Sequence, residues 1–351
     1  MRAELPCLAF AHTTRVYSEK PCIGSGLQES CPLPWDAVLP MFSFMSHAQF
    51  RGVFSLLLTP FHADKSIDWT AYQRHVSWQL GHGPAGLFAV CGSSEMKWLE
   101  AEERVELARR AVKLAGATPV VATANLLPDT AAHAEELRRM ADTGVAGVVL
   151  VPPPGMGENQ DRLGEYFARL VDASPCPTLL YEWPMVKPYF IDARVYGALV
   201  RDHGLAGIKD TTCTMDGITA KIRVTGGATV FQANAPYFSE AVRAGAGGIM
   251  AITTTAAADV AVAWWKEETG GRADQADVLH ELLVLLDCAM VRSDAYPATA
   301  KHLAGLRGSR MECACRHPAV LTAEGRKAME VWLSHAERLG ITTARSGAGA
   351  M

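Results

Sequence analysis

Gly204-Leu205-Ala206-Gly207-Ile208-Lys209-Asp210 is an apolar run that admits a single amine, Lys209, near its carboxyl end. A strand that is apolar throughout, without polar alternation, is buried on both faces, as in a parallel sheet covered by helices. Seven more runs of this kind occur, at residues 53–59, 86–91, 119–124, 146–151, 177–182, 229–232 and 248–252. Amphipathic stretches of helical period separate them. Residues 100–115, for example, place Val105, Ala108, Val112 and Ala115 on one face, and Asp68 stands as N-cap before a stripe of Trp69, Tyr72, Val76 and Leu80. Eight strand and helix pairs predict an α/β chain closed as a (β/α)8 TIM barrel over residues 46–270, with its chemistry at the carboxyl ends of the strands. The alternative is an open doubly wound sheet, which calls for a nucleotide-binding turn at a switch point. Gly81-His82-Gly83-Pro84-Ala85-Gly86 has the spacing of such a turn, yet it closes a helix and opens a strand, the reverse of what phosphate binding needs.

Beyond residue 270 the strand pattern stops and three helical patterns follow, predicting a C-terminal three-helix appendage over 271–340. The last carries Met329, Trp332, Leu333, Ala336 and Leu339 before Gly340 ends it. Residues 1–45 show no periodicity, with Pro6, Pro21, Pro32, Pro34 and Pro40 scattered among glycines and serines, so disorder is expected there. Met45 stands just before the first ordered pattern and is the expected native start. The tail, 341–351, consists mostly of small residues and is expected to be disordered as well.

The 351 residues are 49% hydrophobic and 20% charged, the balance of a globular enzyme. The formal charge of -4, with basic residues dispersed, offers no footprint for nucleic acid or an acidic membrane surface, so a small-molecule partner is expected. No apolar stretch approaches the roughly 20 residues that span a bilayer. Residues 1–10 make a poor signal peptide, and a cytoplasmic protein is expected. The nine cysteines are not read as a disulfide framework, since Cys91, Cys176, Cys213 and Cys288 fall within or beside strand-like or helix-like runs, and Cys313-Ala314-Cys315 lacks the two-residue spacer of zinc motifs. Neither a metal nor a cofactor is expected.

A lysine held in apolar surroundings is destabilised as the ammonium, so its neutral, nucleophilic amine becomes available near neutral pH. Lys209 is placed for that chemistry. Three other strand tips carry polar residues: Thr59-Pro60 after the first, Gly92-Ser93-Ser94-Glu95 after the second, and Tyr181-Glu182-Trp183-Pro184 at the fifth. In a closed barrel these tips ring one mouth. Glu182 next to Tyr181 is either a second acid or base or, by strand alternation, a residue directed at the helical layer; the alternation favours the second. No paired histidines at metal spacing and no Gly-x-Ser-x-Gly elbow occur, which leaves hydrolase readings unsupported.

At these residues, and over about 51–339, the chain resembles the dihydrodipicolinate synthase and N-acetylneuraminate lyase superfamily of pyruvate-dependent class I aldolases. The resemblance implies that Lys209, in a Gly-Ile-Lys-Asp motif, forms the Schiff base with the keto acid. It implies that Tyr181 shuttles protons, that Ser93 and Ser94 bind the keto-acid carboxylate, and that Thr59 helps fix the site. The expected activity is a class I lyase making or breaking a C–C bond adjacent to a 2-keto acid such as pyruvate, with an aldehyde as second partner and a homotetramer as the assembly. Three alternatives stay open: 4-hydroxy-tetrahydrodipicolinate synthase, a Schiff-base sugar-acid dehydratase, and a non-catalytic keto-acid binder. The chain departs from the family pattern in lacking the second glycine of the serine loop, in Glu182 where asparagine is usual, and in Met185-Val186-Lys187 where synthases carry an arginine. It also has Val151-Pro152-Pro153-Pro154 in place of the aromatic pair that completes the proton relay from a neighbouring subunit.

Overall fold

Eight parallel strands pair in chain order and close on themselves in the computed structural model, which describes residues 47–341. They are β1 Gly52–Leu56, β2 Gly86–Val90, β3 Val120–Thr123, β4 Gly147–Leu150, β5 Thr178–Tyr181, β6 Gly207–Asp210, β7 Thr229–Gln232 and β8 Gly248–Ile249. The seam is Gly52 opposite Gly248 and Val53 opposite Ile249. Closure excludes the open doubly wound sheet. After the strands come, in turn, α1 Trp69–Leu80, α2 Ala101–Ala115, α3 His133–Ala141, α4 Gln160–Ala173, α5 Ala193–His203, α6 Met215–Val224, α7 Phe238–Ala244 and α8 Thr254–Thr269. The fold is a TIM barrel. The expected disorder of residues 1–45, the expected start at Met45, and the tail beyond Ile341 lie outside the described residues.

All strand residues are buried, because one face fills the barrel and the other meets helices. The even strands β2, β4, β6 and β8 each open on a glycine. A Cβ on Gly86 would collide with the ring of Phe54, and one on Gly248 with Phe231 and the Gly52 carbonyl. Phe54 and Phe231, from odd strands, meet edge-on with ring centroids 5.1 Å apart. The bulky residues of odd strands thus occupy what the even strands vacate, a layered filling in which alternate strands contribute to each layer. Gly86→Val is expected to cost about 1–3 kcal/mol by overpacking, read as a lower urea midpoint at unchanged slope.

Local signals act as the residue types suggest. The Asp68 carboxylate accepts from Ala71 N at 2.8 Å to start α1, and Glu100 and Glu103 form a reciprocal capping box before α2. The first strand ends earlier than expected, at Leu56 instead of Thr59, for a visible reason. The Leu58 N–H donates to Nε2 of His75 on α1, so that part of the chain bonds to a side chain in place of a strand. His75 Nδ1 lies 3.0 Å from Ser309 Oγ, and burial first, then the charges of Lys301 and His82, push the imidazole down to about 3. It is neutral, with Nδ1 carrying the proton. The eighth strand likewise stops at Ile249, since Thr254 already opens α8.

The appendage consists of α9 Ala273–Met290, α10 Ala298–Ala304 and α11 Ala323–Arg338. It shares a core with the barrel: Val53 and Ile249 of the seam cluster with Trp264, Leu283, Met329 and Trp332. Ile341, the first residue of the expected tail, packs on the same cluster. Among the described residues no helix is long and apolar enough to cross a membrane.

Candidate active site

Tyr181 of β5 and Lys209 of β6 are register partners on adjacent strands, so their side chains emerge on the same face. Strand alternation sends their neighbours the other way. Glu182 and Asp210 meet Lys221 of α6, whose Nζ lies 2.9 Å from Glu182 Oε1 and 2.7 Å from Asp210 Oδ2. Glu182 also accepts from the N–H of Ile191 and of Thr211. The outward reading of Glu182 is the one the structure shows, and its task is to tie the fifth and sixth strand tips to the helical layer. Two carboxylates thus share one ammonium in a dry setting. Burial, reinforced by the Asp210 charge, pushes Glu182 up, whereas in Lys221 the two carboxylates outweigh burial and hold the amine protonated.

Three lysines are buried in this part of the molecule, and they differ in one respect. Lys221 has its two carboxylates, and Lys301 of α10 donates to Glu95 Oε1 at 2.6 Å. Lys209, 3% exposed, has no carboxylate within ion-pair distance among the described residues. Its Nζ lies 4.2 Å from the centroid of the Tyr181 ring and 5.6 Å from that of Phe88. Burial pulls the Lys209 amine down to about 8, against a small opposing effect of Cys91. The Tyr181 phenol is pushed well above its usual range by burial and then by Cys91, so it stays protonated.

The loop after β2 forms a single 3-10 turn, Gly92–Ser94. A Cβ on Gly92 would stand 3.2 Å from Trp183 Nε1 and 3.3 Å from the Tyr181 hydroxyl, so any side chain there would crowd the phenol. The two serines part company. Ser94 Oγ is 2.8 Å from the carbonyls of both Leu57 and Ala89 and accepts from Cys91 N, which leaves it no hydrogen for a ligand. Thr59 Oγ1 donates to the Ser94 carbonyl at 2.8 Å. Through these bonds Ser94 and Thr59 brace the loop. The Ser93 hydroxyl is committed to neither, and the N–H groups of Gly92 and Ser93 make no hydrogen bond among the described residues.

The residues that sequence reasoning missed come from the appendage. Tyr296, just before α10, donates its phenolic hydrogen to Ser93 Oγ at 2.6 Å. Glu95, at the end of the same turn, accepts from Lys301 Nζ through one oxygen and from His317 N at 2.7 Å through the other. These partners are about two hundred residues apart in the chain. One signal was available: Lys301 stands in the small, apolar run Ala298-Thr299-Ala300-Lys301-His302-Leu303-Ala304 and is fully buried there, which a lysine tolerates only when paired. Lys187, on the loop after β5, is exposed and lies over the Tyr189 ring. Among the described residues no group of three or more His, Cys, Asp or Glu could hold a metal.

Residues 49–336 match the model of the dihydrodipicolinate synthetase family. A 4-hydroxy-tetrahydrodipicolinate synthase of Acidiphilium cryptum is 29% identical over 294 residues, spanning 80% of this chain and 95% of the relative. Among solved structures, a prophage protein of the dihydrodipicolinic acid synthase family from E. coli K12, in complex with pyruvate, superposes with a TM-score of 0.76 at 21% identity, over 83% of this chain and 99% of that one. A dihydrodipicolinate synthase from Acinetobacter baumannii complexed with pyruvate gives 0.76 at 21% identity, over 82% and 99%. At such identities the structural likeness speaks to the fold, while the family match speaks to the chemistry. The chain belongs to the dihydrodipicolinate synthetase family and is a class I carbon–carbon lyase.

Proposed function

We propose that Lys209 is the Schiff-base lysine of a lyase that cleaves or forms the C3–C4 bond of a 2-keto acid, with pyruvate as the keto-acid partner and an aldehyde as the other. The observation that carries this reading is a buried amine, without a counter-charge among the described residues, beside a protonated phenol. In the cleavage direction the neutral Lys209 nitrogen adds to the keto carbon, giving a carbinolamine, and loss of water gives an iminium. Tyr181 gives its proton to the departing water and takes one back from the C4 hydroxyl, as the C3–C4 pair flows into the iminium and leaves an enamine and a free aldehyde. Protonation of the enamine at C3 and hydrolysis return pyruvate and the amine. Tyr181, held protonated beside the amine, moves the protons of the carbinolamine steps. Ser93 and the free N–H groups of Gly92 and Ser93 bind the keto-acid carboxylate, which fixes the carbonyl carbon toward the amine.

The position of Lys187, exposed and stacked on Tyr189, supports a second partner other than the one served by an arginine in the synthases. A panel of 2-keto-3-deoxy acids tests the reading. Pyruvate and an aldehyde in equal amounts are the expected products. Release of water with the carbon chain intact would instead identify the sugar-acid dehydratase, and no turnover with any acid would favour the non-catalytic binder. A cytoplasmic site accords with the six free cysteines among the described residues, none of them paired. A homotetramer accords with the family likeness, although a monomeric dihydrodipicolinate synthase variant is among the similar structures, with a TM-score of 0.76; sedimentation of the purified chain decides.

A further inference from the structure

We infer that Tyr296, supplied by the same chain's C-terminal appendage, is a positioning residue that aims the Ser93 hydroxyl at the keto-acid carboxylate. This rests on the reading of Lys209 as the Schiff-base residue and extends the site beyond the barrel.

A serine hydroxyl has one hydrogen and two acceptor lone pairs. With the Tyr296 phenol donating to Ser93 Oγ at 2.6 Å, one lone pair is occupied and the serine hydrogen cannot point back at the tyrosine. Ser94, the neighbour in the turn, has its own hydroxyl spent on Leu57 and Ala89, so it does not compete for that hydrogen. The Ser93 O–H is left as a donor to a ligand, in the same turn as the unpartnered N–H groups of Gly92 and Ser93. Donation from a phenol also polarises the serine O–H, since hydrogen bonds in a chain strengthen one another. Burial keeps the Tyr296 phenol protonated across the working range, so the direction of donation does not change with pH. The tyrosine is held by the body of the appendage: Ala295 and Pro297 beside it are buried, and Lys301, one turn on, pairs with Glu95 of the same loop. The loop is therefore fastened to the appendage at Ser93 and at Glu95. This explains why a carboxylate-binding turn on β2 needs residues two hundred positions away.

The test is reductive trapping with cyanoborohydride at graded pyruvate, with acetone as a ketone lacking the carboxylate. For Tyr296→Phe, which removes only the hydroxyl, half-maximal trapping should need about five- to tenfold more pyruvate, the scale of one hydrogen bond, while acetone trapping is unchanged. Ser93→Ala should show the same selective loss, and the double variant should be no worse than Ser93→Ala alone, because the tyrosine acts through the serine. Unchanged pyruvate dependence in Tyr296→Phe, equal losses with acetone, or additive losses in the double variant would overturn the inference. If Tyr296→Phe does not fold, Ser93→Ala must still lose pyruvate selectively over acetone, and its failure to do so overturns it equally. Wild-type protein that traps neither ketone would instead refute the role of Lys209.

Discussion

Lys209→Met should lower turnover by about 10^4-fold or more while leaving the melting temperature unchanged or raised. The first half follows from the chemistry: without the amine no iminium forms, and the electron pair of the breaking C–C bond has no sink. Removal of a covalent nucleophile elsewhere costs about 10^6-fold in turnover, so the estimate is conservative. The second half follows from the absence of a counter-charge. Lys209 is buried against Phe88 and Tyr181 with no carboxylate in reach among the described residues, so its ammonium is a cost to the fold, seen as an amine pulled down to about 8. Methionine keeps the length and apolar character of the stem and removes that cost. Assay of the purified variant together with a thermal melt checks both halves. Equal losses of stability and activity would mean that Lys209 holds the barrel together and is not spared for chemistry.

Lys221→Met should show the opposite pattern, a loss of about 3–5 kcal/mol in stability at neutral pH. Lys221 is as buried as Lys209, but it neutralises Glu182 and Asp210, and its removal leaves two carboxylates facing each other out of water. Glu182 is already pushed up by burial and by Asp210, and in the variant only the N–H groups of Ile191 and Thr211 are left to oppose that shift. A carboxyl whose folded pKa lies above its unfolded one destabilises the fold above that folded value and is relieved as pH falls through it and the group takes up its proton. The deficit should therefore shrink on acidification. Urea titrations of wild type and variant at neutral and mildly acid pH measure it, and a deficit that stays constant or grows as pH falls would contradict the assignment.

What could be read from the sequence was set by local physics. Strands buried on both faces leave uninterrupted apolar runs, so eight strands, their parallel order and the barrel were legible, as was the position of Lys209 and Tyr181 at neighbouring tips. Alternation along a strand was enough to direct Glu182 outward. The strand ends were less legible, because Leu58 gives its N–H to His75, a polar residue on a helical face whose burial no local pattern announces. The division of labour between Ser93 and Ser94 was not legible either. It depends on the carbonyls of Leu57, just beyond β1, and of Ala89 on β2. Tyr296 and Glu95 escaped for the same reason on a larger scale: each is locally ordinary, and its meaning lies in a partner about two hundred residues away.

On the proposed mechanism one buried amine, that of Lys209, supplies the nucleophile. It is tested by the rate at which cyanoborohydride fixes pyruvate onto the peptide containing Lys209, followed from about pH 6 to about pH 11.5. A single labelled lysine, Lys209, is expected, with a labelling rate that rises through an inflection near 8 as the neutral amine becomes available. Label on another lysine, or an inflection near the ordinary lysine value of 10.5, would rule out Lys209 as the nucleophile.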